Sequence, residues 1–138
     1  MASLTLSPLE TARHLMAAGF VGWQVVRMGQ IAMAESGLNA YALGVNSKPG
    51  QPDDLSIDCG LLMLNDYWWL APRGLAIRDV LDPARNCAEG FEIFRQRGGL
   101  TNPIPGYQAW TSYVTGAIAR WQQQAIDAAR VVGALPHL

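Results

Sequence analysis

The residues that start and stop helices constrain this chain most. Ser7-Pro8-Leu9-Glu10 joins a capping hydroxyl, a proline where a helix has no use for its N–H, and a glutamate able to reach back to the cap. The helix opened there runs to about Ala18, and Gly19 stops it. A second helix is predicted over 21–35, ended by Ser36-Gly37. Asp82-Pro83 caps another, with Cys87, Phe91 and Phe94 on one face and Gly98-Gly99 as its stop. After a turn rich in Pro and Gly, from Asn102 to Gly106, a last long helix is expected from about Gln108 to Val132. Its stripe of Trp110, Tyr113, Val114, Ala117 and Trp121 faces a core. Residues 38–57 read as loop, from Asn39 through Gly44 and Asn46 to Lys48-Pro49-Gly50-Gln51-Pro52-Asp53-Asp54. The apolar run from Asp58 to Asn65 could begin as strand or as helix, and periodicity does not decide between them. The fold class is therefore mostly α (α+β), with a small β element allowed in the middle.

A length of 138 residues fits one domain, 1–138, and leaves no room for two cores. Half the residues are hydrophobic and 15% are charged, enough to bury a sizeable interior. A net charge of −1 argues against a general affinity for nucleic acid. No apolar run approaches the roughly 20 residues that span a bilayer, so membrane insertion is not expected. Met1 to Glu10 lacks the basic start and apolar centre of a signal peptide, so the expectation is a chain made in the cytoplasm. Cys59 and Cys87 lack metal-ligand spacing, and His14 and His137 lie near opposite ends, so neither zinc nor another cofactor is implied. The two cysteines are expected as buried thiols rather than a disulfide.

Glu35 does not fit a purely structural account. Val25, Met28 and Ala32 define one apolar stripe of the second helix, and the next step of three lands on Glu35. Burial there would disfavour the anion, and the helix C-terminus adds partial negative charge beside it. Both effects keep a carboxyl protonated, which a general acid requires. The competing reading is a surface glutamate on a frayed turn, or one paired to Arg27 or Arg85.

Four further stretches bear on this choice. Ala34-Glu35-Ser36-Gly37-Leu38-Asn39-Ala40, followed by Gly44, resembles the helix-end motif of lysozyme-like domains and lytic transglycosylases. Asp58-Cys59-Gly60-Leu61-Leu62-Met63-Leu64-Asn65 resembles their second motif, and Leu81-Asp82-Pro83-Ala84-Arg85-Asn86-Cys87-Ala88 the third. The stretch from Ala109 to Ala117 is similar to the Trp-x-x-Tyr-x-x-Gly segment that closes such domains. The order is right over residues 12 to 120, and the nearest flavour is that of phage endolysins and phage tail proteins. The resemblance implies a lysozyme-like fold, with helices around a cleft and Glu35 as the acid.

It implies further site residues. Asp58 stands where hydrolytic relatives keep an aspartate that stabilises or attacks the oxocarbenium-like centre. Read alone, Asp58 is equally an N-cap for a helix starting at Gly60, with Asp53 and Asp54 as solvated rivals. Ser36, beside the acid, and Trp110 and Tyr113, on the last helix, are expected at the substrate, the tyrosine hydroxyl touching Glu35. Tyr67, Trp68 and Trp69 cannot share one face, so Trp68 and Trp69 are taken as groove-lining platforms for sugar rings. Asn39, Asn65 and Asn86 could bind acetamido or hydroxyl groups or cap local backbone, and Asn65 is preferred as the contact. Met63 replaces the family's usual glutamine and cannot supply its hydrogen bonds.

The expected activity is cleavage of peptidoglycan glycan strands between N-acetylmuramic acid and N-acetylglucosamine, by a muramidase or a lytic transglycosylase. Delivery to the wall would be through a holin-type lesion or as part of a phage tail. The alternative is a weakly active or inactive structural protein of a tail, whose partners are other tail proteins. An unrelated helical adaptor is a more distant third.

Overall fold

A computed structural model describes residues 2–48, 51–97 and 106–136. Pro49, the Gly98-Gly99 stop, the turn from Asn102 to Pro105, His137 and the side chains of Asp53 and Asp54 lie outside the described residues.

The helix punctuation is realised closely. Helix α1 spans Pro8–Ala18; the Glu10 N–H donates to Ser7 Oγ and the Ser7 N–H to Glu10 Oε1, each at 3.0 Å. Those hydrogen bonds hold the Glu10 carboxyl below its ordinary range. Helix α2, Trp23–Ser36, ends where Gly37 turns left-handed and donates its N–H to the Met33 carbonyl. It is the central helix, packed by α1 and by α6 (Gln122–Val131). Hence Val25, Val26, Met28, Ile31, Ala32 and Met33 are all buried, a wider face than a single stripe. Helix α3 is a single turn, Ile77–Val80. Helix α4, Pro83–Gln96, is capped by Asp82 through the Arg85 N–H and packs on α1. No helix among the described residues is long and apolar enough to cross a membrane.

Two expectations fail. Residues 38–57 are not loop throughout: β1 (Leu43–Lys48), β2 (Gln51–Cys59) and β3 (Leu64–Asn65) form an antiparallel sheet in the order β1-β2-β3. Its register pairs Gly44 with Asp58, Asn46 with Ser56, and Asp58 with Asn65. One face therefore carries Gly44, Asn46, Ser56, Asp58 and Asn65, while Leu43, Val45 and Leu55 on the other are exposed. Leu55-Ser56-Ile57-Asp58-Cys59 does alternate with period 2, but the Gly, Asn and Pro residues between Asn39 and Pro52 mask that signal.

The long final helix is also broken. A 3-10 turn at Gly106–Ala109, the short helix α5 at Thr111–Val114 and a second 3-10 turn at Ala119–Trp121 precede α6. Trp110 is extended (φ −108, ψ 128), which drops its indole into the core at 5% exposure, with Nε1–H donating to the Leu62 carbonyl at 2.9 Å. Val114, expected on the same buried stripe, is exposed.

The run from Asp58 to Asn65 is strand, turn, strand. Gly60 takes a positive φ of 80, and a side chain there would collide with Asn86 and the Val80 carbonyl. Asn86 is fully buried and staples the turn: Oδ1 accepts from the Leu62 N–H at 2.9 Å, and Nδ2 donates to the carbonyls of Cys59 and Val80. Asp58 is thus a strand residue and caps no helix at Gly60. Cys59 and Cys87 are buried free thiols, and burial pushes each up to about 12.

Candidate active site

Glu35 occupies the last turn of α2, where the αL stop at Gly37 leaves its carboxyl facing a cleft of about 530 Å³. It is half-buried rather than sunk with the rest of its stripe. Oε1 accepts from the Ser112 N–H at 3.4 Å, a long contact that brings the start of α5 beside the acid. Ala109, Trp110 and Thr111 complete this side of the cleft.

The sheet supplies another side. Asp58, in β2, accepts from the Nδ2 of Asn46 in β1 and, at 2.8 Å, from the Nδ2 of Asn65 in β3. Each strand thus contributes one member of the group. Asn65 also donates to Ser56 Oγ at 3.0 Å and accepts from the Trp68 N–H at 2.9 Å, so its amide is used locally. Its role is to aim Asp58 and start the π-helical turn Asp66–Leu70, although it still lines the cleft. These anchors orient the carboxylate, while Glu35 has, among the described residues, one long hydrogen bond.

Aromatic and apolar groups enclose the remainder. Met63 has a positive φ of 51, uncommon for a residue with a side chain, and lines the cleft with Trp68 and Trp69. Trp68 is 60% exposed and meets Tyr67 edge-on at 4.7 Å. Ile93 and Arg97, one turn apart along α4 and just beyond its end, face the same space. Arg97 is the one cation among the described residues that line the cleft.

The structure brings together Glu35, Asp58, Met63, Asn65, Trp68, Trp69 and Trp110 of the expected site residues. Three others do not line it. The Ser36 hydroxyl is turned back onto the Ala32 carbonyl at 3.0 Å. Asn86 is committed to the turn, since its amide satisfies three backbone groups that the reversal at Gly60 leaves unpaired. Tyr113 meets Tyr107 in a tilted ring pair at 5.2 Å and is absent from the lining of the cleft. Asn39 is likewise taken up, its Oδ1 accepting from the N–H groups of Leu4 and Tyr41. Reading 38–57 as loop hid Asn46 and Ser56, whose signal is alternation with Asp58 along a polar strand face. Ile93 and Arg97 carry an i, i+4 signal at the end of α4.

A sequence-family model described as a lysozyme-like domain matches residues 12–102, well over half of the chain and including both Glu35 and Asp58. No curated protein gives a match. The chain belongs to the family of lysozyme-like domains, whose activity is in general the lysis of peptidoglycan.

Proposed function

We propose that this domain cleaves the glycan strand between N-acetylmuramic acid and N-acetylglucosamine, with Glu35 as general acid and Asp58 as the carboxylate that stabilises the sugar cation. The observation that carries this reading is the presence of both carboxylates in one cleft, delivered by unrelated elements and set in unlike surroundings. Glu35, at the apolar side with Trp110, gives its proton to the departing glycosidic oxygen. Positive charge then develops at the sugar carbon, and Asp58, held in place by Asn46 and Asn65, faces it. Glu35, now ionised, takes a proton from water to complete hydrolysis. Asp58 lying in β2 rather than at a helix cap supports hydrolysis over formation of an anhydro-sugar.

Met63 supports a second reading, a domain that keeps the cleft and has lost turnover, because a thioether sits where an amide would hydrogen-bond sugar. Turbidity clearing of purified wall by wild type and Glu35→Gln separates the two. The proposal expects clearing by wild type and a loss of at least about a hundredfold in the variant, with an unchanged melting temperature. Inert wild type favours the second reading; a variant within a few-fold of an active wild type removes Glu35 from the chemistry.

A further inference from the structure

Glu89 is a carboxylate that the proposed chemistry does not use, yet it is 4% exposed in the middle of α4. Four polar groups converge on it. Oε2 accepts from Trp69 Nε1–H at 3.2 Å and from Arg73 Nε–H at 2.8 Å, while Oε1 accepts from Arg73 Nη2 at 3.2 Å. Arg85 Nε lies 3.6 Å from Oε1, one helical turn back. Arg73 also stacks over the Trp69 ring, its guanidinium carbon 4.9 Å from the centroid. The indole is therefore fixed twice, at its N–H edge by Glu89 and at one face by the arginine that Glu89 holds.

A buried carboxylate with cationic partners is a poor device for stability alone, since apolar side chains of similar volume commonly serve as well. Orientation is what such a group does better, because hydrogen bonds fix an angle and apolar contact does not. Trp69 is a member of this cluster that also reaches the cleft. We infer that Glu89 is a positioning residue: through Trp69 Nε1 and Arg73 it sets the plane of the Trp69 indole, so that the ring stands as a preformed platform for a pyranose of the bound glycan. This rests on the reading of the cleft as a glycan site. A ring set beforehand binds without the entropy loss of ordering a free side chain, so the effect belongs in binding and not in the proton transfer at Glu35.

Glu89→Met and Glu89→Gln, each alone and in a Trp69→Ala background, test this with two readouts. The first is the Trp69 indole Nε1–H resonance and its exchange with solvent. Protection should fall in Glu89→Met and be largely kept in Glu89→Gln, which retains an acceptor oxygen. The second is turnover of soluble glycan fragments from purified wall. Glu89→Met should raise KM on the order of tenfold, below the roughly hundredfold that gross misplacement costs, with kcat within about twofold. Glu89→Gln should restore most of that KM, and Glu89→Met should add nothing once Trp69 is alanine.

An unchanged Nε1–H signal in Glu89→Met overturns the inference. So does a fall in kcat at constant KM, or an effect equally large in the Trp69→Ala background. Should Glu89→Met not fold, Glu89→Gln carries the same test, with a smaller rise in KM that must vanish without Trp69. A wild type that neither binds nor cleaves the fragments defeats the glycan-site reading itself. An active wild type indifferent to Glu89 defeats only this inference.

Discussion

The two sides of the cleft hold their carboxylates in opposite ways. On the helical side Glu35 lies at the end of a mostly buried helix and, among the described residues, receives one long hydrogen bond, from the Ser112 backbone. On the sheet side Asp58 is gripped by two side-chain amides, one from each neighbouring strand. The first arrangement leaves the carboxyl open to a ligand in the cleft, as the proposed acid requires. The second fixes the direction of a charge. Under the proposed mechanism, two acidic residues of similar chemistry take different roles because different elements carry them.

The comparison breaks most sharply at Asp58. Asp58→Asn keeps the shape but removes the charge and one of the two oxygens that accept from Asn46 and Asn65, and wall cleavage should drop on the order of a hundredfold. Turbidity assays checked by circular dichroism measure this; nearly full activity would mean that the sheet side is only scaffold. A smaller effect is expected at Arg97, the cation on the cleft's α4 side. The peptide stems and unsubstituted lactyl groups of wall glycan carry carboxylates that chitin oligosaccharides lack, so Arg97→Gln should weaken cleavage of wall a few-fold and leave chitin-oligosaccharide binding by calorimetry unchanged. Equal losses on both ligands would deny Arg97 a role in selecting charge.

The smallest effect involves the cysteines, one on each side. Cys59 ends β2 and Cys87 lies in α4; burial raises both from about 9 to about 12. The unfolded chain gives up these protons near pH 9, whereas the folded chain keeps them until about 12. Their contribution to stability is whole below pH 9 and is lost as pH rises towards 12. Urea midpoints should therefore be lower at pH 10.5, chosen as roughly mid-window, than at pH 8, and neither thiol should react with a disulfide reagent at pH 8 before unfolding. Rapid labelling of either at pH 8 would contradict its burial.

The helical side was legible in the sequence because its signals are local. Ser7, Glu10, Gly37 and Asp82 act within a turn of their own helices, and the stripe from Val25 to Glu35 follows one period. The sheet side was not, because Asn39, Gly44, Asn46, Pro49, Gly50 and Pro52 surround the short alternation of Leu55, Ile57 and Cys59 with turn-forming residues. That pattern mimics a loop. Asn86 shows a different limit: its place in a motif suggested sugar binding, while its amide closes the turn at Gly60, across a separation that spacing cannot reveal. The break before Trp110 was equally hidden, since the indole's partner is the Leu62 carbonyl, far away in the chain. Glu89 is hidden for the same reason, its partners Trp69 and Arg73 belonging to another segment.

The chain ends released from purified wall by the wild-type protein test the division of labour most directly. If Glu35 protonates the leaving oxygen and Asp58 shelters the cation until water arrives, mass spectrometry will show reducing muramyl ends carrying one added water per cleavage. Predominantly anhydro-muramyl ends would contradict the account, because the sugar's own hydroxyl would then have done what Asp58 and water are assigned to do.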